Sequence, residues 1–271
     1  MEWTGLLMLG FAVGAYGTLI GAGGGFLLVP ILLMLYPQKA PTTITAISMA
    51  MVLANAVSGA VAYARMRRIH YRAGILFALA TVPGAIVGAK VVDFIDPRTF
   101  AIIMSLFLLA IAVFLILKPR EESKLLGVGN GGSDGLLPGV KPPPPDFPFN
   151  AKLGVSLSLA VGFIASMLGV GGGIVHVPAL VSLLRFPVHV ATATSHFVLV
   201  FTALAAVLTH AFDLKLGTQD MLHCVVPLVI GVIPGAQLGA MLAKKIKGPW
   251  ILRALGIALV LVAARLLMTK A

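Results

Sequence analysis

Apolar residues come in long runs along this chain, each near twenty residues and set off by short polar segments. Residues 42–64, 73–92 and 100–117 form one set, and 191–212, 221–243 and 250–268 form a second. At ~1.5 Å of rise per residue, a helix of each run reaches roughly 30 Å, the thickness of a bilayer's hydrocarbon core. Ahead of each set stand two shorter arms, 5–20 with 26–36 and 153–168 with 174–184. These would reach only ~24 Å and ~16 Å as helices. They predict a broken hairpin that enters the bilayer and turns back at a glycine cluster. The ten-residue alternation of a membrane β-barrel is missing. The predicted fold is therefore an all-α integral membrane protein with two repeats, each a broken re-entrant helical hairpin plus three transmembrane helices.

The two sets are copies of one unit. Residues 14–35 read GAYGTLIGAGGGFLLVPILLML and residues 162–183 read GFIASMLGVGGGIVHVPALVSL. Gly14, Gly21, Gly23, Gly24, Gly25, Val29 and Pro30 recur as Gly162, Gly169, Gly171, Gly172, Gly173, Val177 and Pro178. Further on, PGAIVGA at 83–89 returns as PGAQLGA at 234–240. Two matches in the same order at nearly the same offset mean duplication. The predicted division is a first membrane repeat at 1–118, a connector at 119–150 and a second membrane repeat at 151–271. The connector contains GVGNGGSDG and KPPPPDFP, which cannot continue a membrane helix and read as a polar link.

Loop charge orients the copies. Residues 65–72 carry Arg65, Arg67, Arg68 and Arg72 without an acid, whereas the equivalent 211–220 hold Asp213, Lys215 and Asp220. The next loop reverses the bias: 90–98 balance Lys90 and Arg98 against Asp93 and Asp96, while 244–253 carry Lys244, Lys245, Lys247 and Arg253 unopposed. If basic loops stay in the cytoplasm, equivalent loops lie on opposite sides. That is an inverted-topology repeat, an architecture of secondary transporters. It places both termini outside and the connector in the cytoplasm, with Arg265 and Lys270 running against the bias.

Composition narrows the class further. Of 271 residues 59% are hydrophobic and 11% charged, and mean hydropathy is +1.04. A soluble domain needs far more polar surface. The net charge of +11 resides in loops between apolar runs, so the positive-inside rule accounts for it and nucleic acid is not an expected partner. The single Cys224, within an apolar run, excludes an intramolecular disulfide and argues against a thiolate metal site. Met1, Glu2 and Trp3 lack the basic start of a signal peptide, so the N-terminus is read as retained. The predicted location is the inner (plasma) membrane, with several crossings.

Candidate chemistry centres on the glycine clusters. A backbone break at membrane depth leaves N–H and C=O groups without water, so it persists only where it lines a cavity or is buried by protein. Gly23, Gly24, Gly25, Gly171, Gly172 and Gly173 give the torsional freedom such a break needs. The helix that follows each cluster starts with free N–H groups, which attract anions. Three glycines also permit tight helix packing; the duplication, the short arms and the Pro30/Pro178 pair point to a site. No strand or βαβ unit surrounds the clusters, so they are not a dinucleotide fingerprint.

Thr45, Ser48, Val52, Asn55 and Gly59 step by three and four along one helix face, repeated as Thr192, Ser195, Leu199, Thr202 and Ala206. Their hydroxyl and amide groups suit oxyanion oxygens, and equally suit ties between helices. His176 and His196, ionisable groups in apolar sequence, are candidates for proton coupling. No Cys or acid stands near either at metal-ligand spacing, so no metal or other cofactor is expected. Gln237 is polar where the first copy has Ile86, and is a candidate lining residue. Lys90 reads as a lysine reaching for the membrane surface from a helix end.

The paired G-x-G-G-G…P segments, the Thr/Ser face and the doubled P-G-A-x-x-G-A resemble the sulfite exporter TauE/SafE family of permeases, over nearly the whole chain apart from the connector. The resemblance implies movement of sulfite or a small organosulfonate, outward and coupled to an ion gradient. The family's glycine-rich elements fall on Gly23, Gly24, Gly25, Gly171, Gly172 and Gly173. The reading is a transporter of a small anion by alternating access, not an enzyme, since no Ser/His/Asp or metal-ligand set is recognisable. The alternative is a passive anion channel, or a transporter of another small oxyanion. Oligomeric state is not legible from the sequence.

Overall fold

The computed structural model describes residues 3–117, 149–214 and 219–243, together with Val260, Ala263 and Ala264. Among these residues every regular element is helical. In chain order they are α1 (Trp3–Ile20), α2 (Gly25–Leu35), α3 (Pro41–Arg65), α4 (Tyr71–Val91), a 3₁₀ turn (Val92–Phe94), α5 (Pro97–Leu117), α6 (Ala151–Leu168), α7 (Gly173–Ser182), α8 (Val188–Leu214) and α9 (Gln219–Leu242). All but three residues of the expected span 250–268, the basic loop at 244–253 and nearly all of the connector lie outside the described residues.

Helix starts follow local chemistry. Pro41 opens α3, where a missing N–H costs nothing. Elsewhere a side chain accepts from an otherwise orphaned amide: His70 Nδ1 from Ala73 N at 3.2 Å on α4, Asp96 Oδ2 from Thr99 N at 2.9 Å on α5, and Asn150 Oδ1 from Leu153 N at 3.1 Å on α6.

Among the described residues, six helices are long and apolar enough to cross a membrane: Trp3–Ile20, Pro41–Arg65, Tyr71–Phe94, Ala151–Leu168, His189–Phe212 and Met221–Leu242. Two of them correct the expected pattern. The segments read as short first arms extend to 18 residues each and are candidate spans in their own right. The physical reason lies at their N-termini. Trp3 is drawn into α1 by its indole N–H, which donates to His223 Nδ1 of α9 at 2.8 Å, and Asn150 caps α6. The second arms, α2 and α7, are short as expected, at 11 and 10 residues.

The dominant packing joins one sequence copy to the other. α1 lies along α9, and α4 lies along α6. Both contacts are made by glycines that let backbones touch. A Cβ at Gly235 would fall on the Phe11 carbonyl, and one at Gly239 on that of Ala15. In the other pair, Gly84 meets the Leu159 carbonyl and Gly88 that of Phe163. Gly14 abuts Val232 just as Gly162 abuts Thr81. Each of these contacts has its mate at equivalent positions, so the two copies embrace by exchange of the same surfaces. Residue numbers rise together along both pairs, so the paired helices run in the same direction.

α3 and α8 cross at the centre. His196, near the start of α8, lies against Gly59 and Tyr63, near the end of α3, while Val52 and Leu199 share Gly23 as a neighbour. The two helices therefore pass in opposite senses. One polar tie holds α3 to α9: Gln237 Nε2 donates to Ser58 O at 2.8 Å and to Ser58 Oγ at 2.9 Å, and Ser58 Oγ donates to Ile233 O at 3.0 Å. In the other copy the matching residues are Ile86 and Ala205, both apolar.

Leucine at Gly88 or Gly239 forces apart backbones already in contact. Overpacking of this kind costs about 1–3 kcal/mol, and 1 kcal/mol moves the melting temperature of a chain this size by about 2–4 °C. Each variant should therefore melt several degrees lower in detergent, whereas Val87→Leu, on an exposed face of α4, should not. Unchanged melting of both glycine variants would contradict the close helix contact.

Candidate functional site

The break between α1 and α2 and the break between α6 and α7 have the same backbone. Gly21, Gly23 and Gly24 have φ of +87°, +81° and +84°; their mates Gly169, Gly171 and Gly172 have +70°, +86° and +66°. An L-residue in this left-handed region costs about 1–2 kcal/mol, which is why glycine occupies all six positions. Through the first break the chain doubles back on α1, since a Cβ at Gly24 would sit 2.8 Å from Val13 Cγ1 and 2.9 Å from Val13 O.

The two breaks press against each other at the centre of the protein. A Cβ at Gly25 would lie 2.5 Å from Gly169 O and 2.8 Å from the Val170 carbonyl carbon. Its mate Gly173 abuts Gly21 O and comes within 2.8 Å of Ala22 Cα. Val52 and Leu199 close the remaining sides: a Cβ at Gly23 would be 2.5 Å from Leu199 Cδ2, and one at Gly171 would be 2.9 Å from Val52 Cγ1.

Backbone groups at the breaks are partly satisfied. Ala22 N and Gly23 N donate to Gly17 O at 2.8 and 3.2 Å, and Gly173 N donates to Gly171 O at 2.7 Å. Neither α2 nor α7 has a side-chain N-cap. Among the described residues no acceptor meets the amides of Gly24, Gly25, Phe26, Gly172 or Ile174. At the second break Gly173 thus spends its own amide internally.

The hydroxyl faces flank the breaks crosswise. Thr45, on α3 of the first copy, lies beside the second break, its Cα 3.0 Å from a Cβ placed on Gly169, while its own hydroxyl donates to Thr42 O at 2.9 Å. Thr192 mirrors it beside the first break, with Cγ2 2.6 Å from a Cβ on Gly21. Ser48 Oγ donates to Gly169 O at 2.6 Å and so satisfies a carbonyl of the second break. Its mate Ser195 is buried with no hydrogen-bond partner. Thr202 Oγ1 donates within its own helix to Val198 O at 3.1 Å.

Asn55 and His196 come together, and they draw in residues that sequence reasoning missed. Thr18 Oγ1, from α1, donates to Asn55 Oδ1 at 2.8 Å. Tyr63 Oη donates to Thr18 O at 3.0 Å, and the rings of Tyr63 and His196 meet edge to face at 5.3 Å. Gly59 lies between them: a Cβ there would be 2.6 Å from His196 Cδ2 and 3.3 Å from Thr18 Cγ2. A signal was available, because Asn55, Gly59 and Tyr63 continue one helix face in steps of four, and Thr18 directly precedes the glycine cluster.

Two other candidates have separate neighbours. His176 Nε2 is 3.2 Å from Ser158 Oγ, and its ring meets Phe77 edge to face at 5.9 Å, on the side where α4 and α6 pack. Gln237 is engaged by Ser58 in the tie between α3 and α9. Among the described residues, no three His, Cys, Asp or Glu side chains are grouped to hold a metal ion.

The unequal serines make a direct test of which hydroxyls support the breaks. Ser48→Ala orphans the Gly169 carbonyl, at about 1–3 kcal/mol, and should lower the melting temperature measurably. Ser195→Ala removes a hydroxyl without a partner and should leave it nearly unchanged. Equal melting of the two variants would show that Ser48 does not hold the second break.

Comparison with known proteins agrees with this architecture. The family model described as sulfite exporter TauE/SafE matches residues 6–266. The chain is 27% identical to the probable membrane transporter protein YunE of Bacillus subtilis, over 98% of each chain. It is 26% identical to a probable membrane transporter protein of Methanocaldococcus jannaschii, over 89% of this chain and 86% of that one. A probable membrane transporter protein of Xylella fastidiosa strain Temecula1 is 25% identical over 88% and 82%. No solved structure matches the chain. With apolar helices long enough to cross a bilayer and a match from residue 6 to residue 266, this protein belongs to the sulfite exporter TauE/SafE family of membrane transporters.

Proposed function

We propose that this protein moves sulfite or a small organosulfonate out of the cell across the inner membrane, by alternating access and at the expense of an ion gradient. The observation that carries this reading is the pair of buried breaks, where amides of Gly24, Gly25, Phe26, Gly172 and Ile174 stand without acceptors at two helix starts. Preorganised N–H groups at a helix start favour an anion, and the family's name points to sulfite. Thr45, Ser48, Asn55, Thr192, Ser195 and His196 complete the binding region, with Gln237 at its edge and His176 and His196 as carriers of a coupling proton.

Alternating access follows from how the copies are joined. Residues 1–118 and 151–271 act as two inverted repeats linked through a cytoplasmic connector at 119–150. The reversed loop charges and the opposed directions of α3 and α8 support this arrangement. Each copy's first helix is clasped by the other copy's α4 or α9, so rocking would carry the pairs α1–α9 and α4–α6 as units past the central breaks.

Flux measurements in proteoliposomes test the function. Efflux and uptake of sulfite, sulfate, thiosulfate, sulfoacetate and taurine should show saturable movement of sulfite, and accumulation against its gradient when an ion gradient is imposed. Movement that never saturates and never concentrates the anion would make the protein a passive channel. The topology has its own test in a Cys224→Ser background. Arg67→Cys and Lys245→Cys should label only from the cytoplasm, and Thr218→Cys only from outside. Labelling of positions 67 and 218 from one face would overturn the inverted repeat.

A further inference from the structure

The two copies share a backbone at their breaks, but the chemistry beside each break differs. Next to the first break stand Asn55 and His196, fully buried, with Asn55 Nδ2 and both ring nitrogens of His196 lacking partners. The Thr192 carbonyl one turn back does not complete a hydrogen bond to the His196 ring. Their mates beside the second break are Thr202, which is bonded within its own helix, and Met49, which is apolar. The serines differ too: Ser195, beside the first break, is unpartnered, while Ser48, beside the second, is committed to Gly169 O.

We propose that the anion binds on one side of this pseudo-symmetric centre, in a subsite bounded by Thr18, Asn55, Gly59, Tyr63 and His196, and that Gly59 seats the His196 imidazole that helps to hold it. The inference deepens the transport reading and rests on it. Buried polar groups without partners are uncommon in folded proteins and call for an explanation; Asn55 and His196 supply three such atoms around Thr18 and Gly59, against Ser166 Oγ beside the second break. Thr18 holds the Asn55 carbonyl oxygen at 2.8 Å, which turns the amide nitrogen away from that bond and leaves it free to donate. Tyr63 anchors Thr18 from the other end through Thr18 O, and its ring steadies His196. Gly59 lets the imidazole pack directly on α3: an added Cβ would lie 3.1 Å from His196 Nε2 and 2.6 Å from Cδ2. A methyl there would push the imidazole out of its place. The second copy already carries that methyl, as Ala206.

Such a subsite recognises a compact tetrahedral or pyramidal oxyanion by donors, with no fixed cation required. Asn55 and His196 supply side-chain donors, and the amides after Gly24 supply backbone ones. Tyr63 and Thr18 act as positioning residues, because their hydrogen bonds go to protein groups.

The test converts residues beside the first break into their pseudo-symmetric mates. Gly59→Ala, Asn55→Thr and His196→Met are made singly, with Ala206→Gly, Thr202→Asn and Met49→His as reciprocal controls. Alanine within a helix is favoured over glycine, so Gly59→Ala carries no penalty of helix propensity. Sulfite, thiosulfate, sulfate and phosphate binding are measured by calorimetry on monodisperse protein, beside proteoliposome flux. Loss of a charge-assisted hydrogen bond lowers affinity about ten- to a hundredfold. Asn55→Thr and His196→Met should each weaken sulfite binding by at least tenfold. Gly59→Ala, which displaces the imidazole, should weaken sulfite binding in the same direction. The reciprocal controls should stay within about twofold of the wild type, a loss well short of one charged hydrogen bond.

Equal losses from the two sides would overturn the one-sided subsite while leaving anion transport intact. Wild-type protein that transports sulfite, with all three variants beside the first break unaffected, would do the same. Wild-type protein that binds and moves none of the four anions would overturn the transport reading and the subsite together. If Asn55→Thr fails to fold, His196→Met decides alone, through its sulfite affinity.

Discussion

Unpaired backbone groups at membrane depth are the constraint on which this structure turns. Each break exposes amides and carbonyls where no bulk water can reach them, at a cost of several kcal/mol per group if nothing intervenes. The protein meets part of that cost from within. Gly17 O takes two amides of the first break, Gly171 O takes one of the second, and Ser48 covers Gly169 O. Glycine at Gly25 and Gly173 lets each break lie directly on the backbone of the other, which shuts lipid out. At the two helix starts N–H donors are left unmatched, with Asn55 Nδ2 and the His196 ring close by. Amide donors of this kind at the start of a helix are suited to an anion.

The same constraint explains why the copies interlock. A single copy would leave its break facing lipid and its first helix uncovered. Exchange of equivalent surfaces between copies removes both problems at once, and it uses the PGAxxGA glycines to bring α9 onto α1 and α4 onto α6 at backbone contact. Symmetry serves the scaffold and is relaxed where chemistry is local. Ser58 and Gln237 form a polar tie between the copies where their mates Ala205 and Ile86 are apolar, and Asn55 and His196 likewise have Thr202 and Met49 as mates.

Much of this was legible before the structure. Hydropathy located α3, α4, α8 and α9 to within a few residues, because apolar runs near twenty residues admit little else. The glycine motifs located both breaks, since three glycines between apolar arms signal backbone that other residues cannot adopt. Lengths of α1 and α6 were underestimated: Trp3 and Ala151 gain their helical places from tertiary partners and caps, which hydropathy does not register. The partners of polar residues were the least legible. That Ser58 holds Gln237, and that His176 faces Ser158 and Phe77, has no signature in the sequence. Thr18 and Tyr63 carry no motif of their own. Their meaning arises from α1, α3 and α8 meeting at one point, which periodicity within a single helix cannot convey.

The central claim is that an oxyanion is held by backbone amides at the breaks, and selenite tests it most directly. Selenite has the charge and pyramidal shape of sulfite, and selenium gives an anomalous signal that locates it without reliance on modest density. In crystals of the protein grown with selenite, the account predicts a selenium peak with its oxygens at hydrogen-bonding distance, about 2.7–3.2 Å, from an amide of Gly24, Gly25, Phe26, Gly172 or Ile174. A selenium peak elsewhere in the membrane interior, with those amides facing only protein, would contradict it.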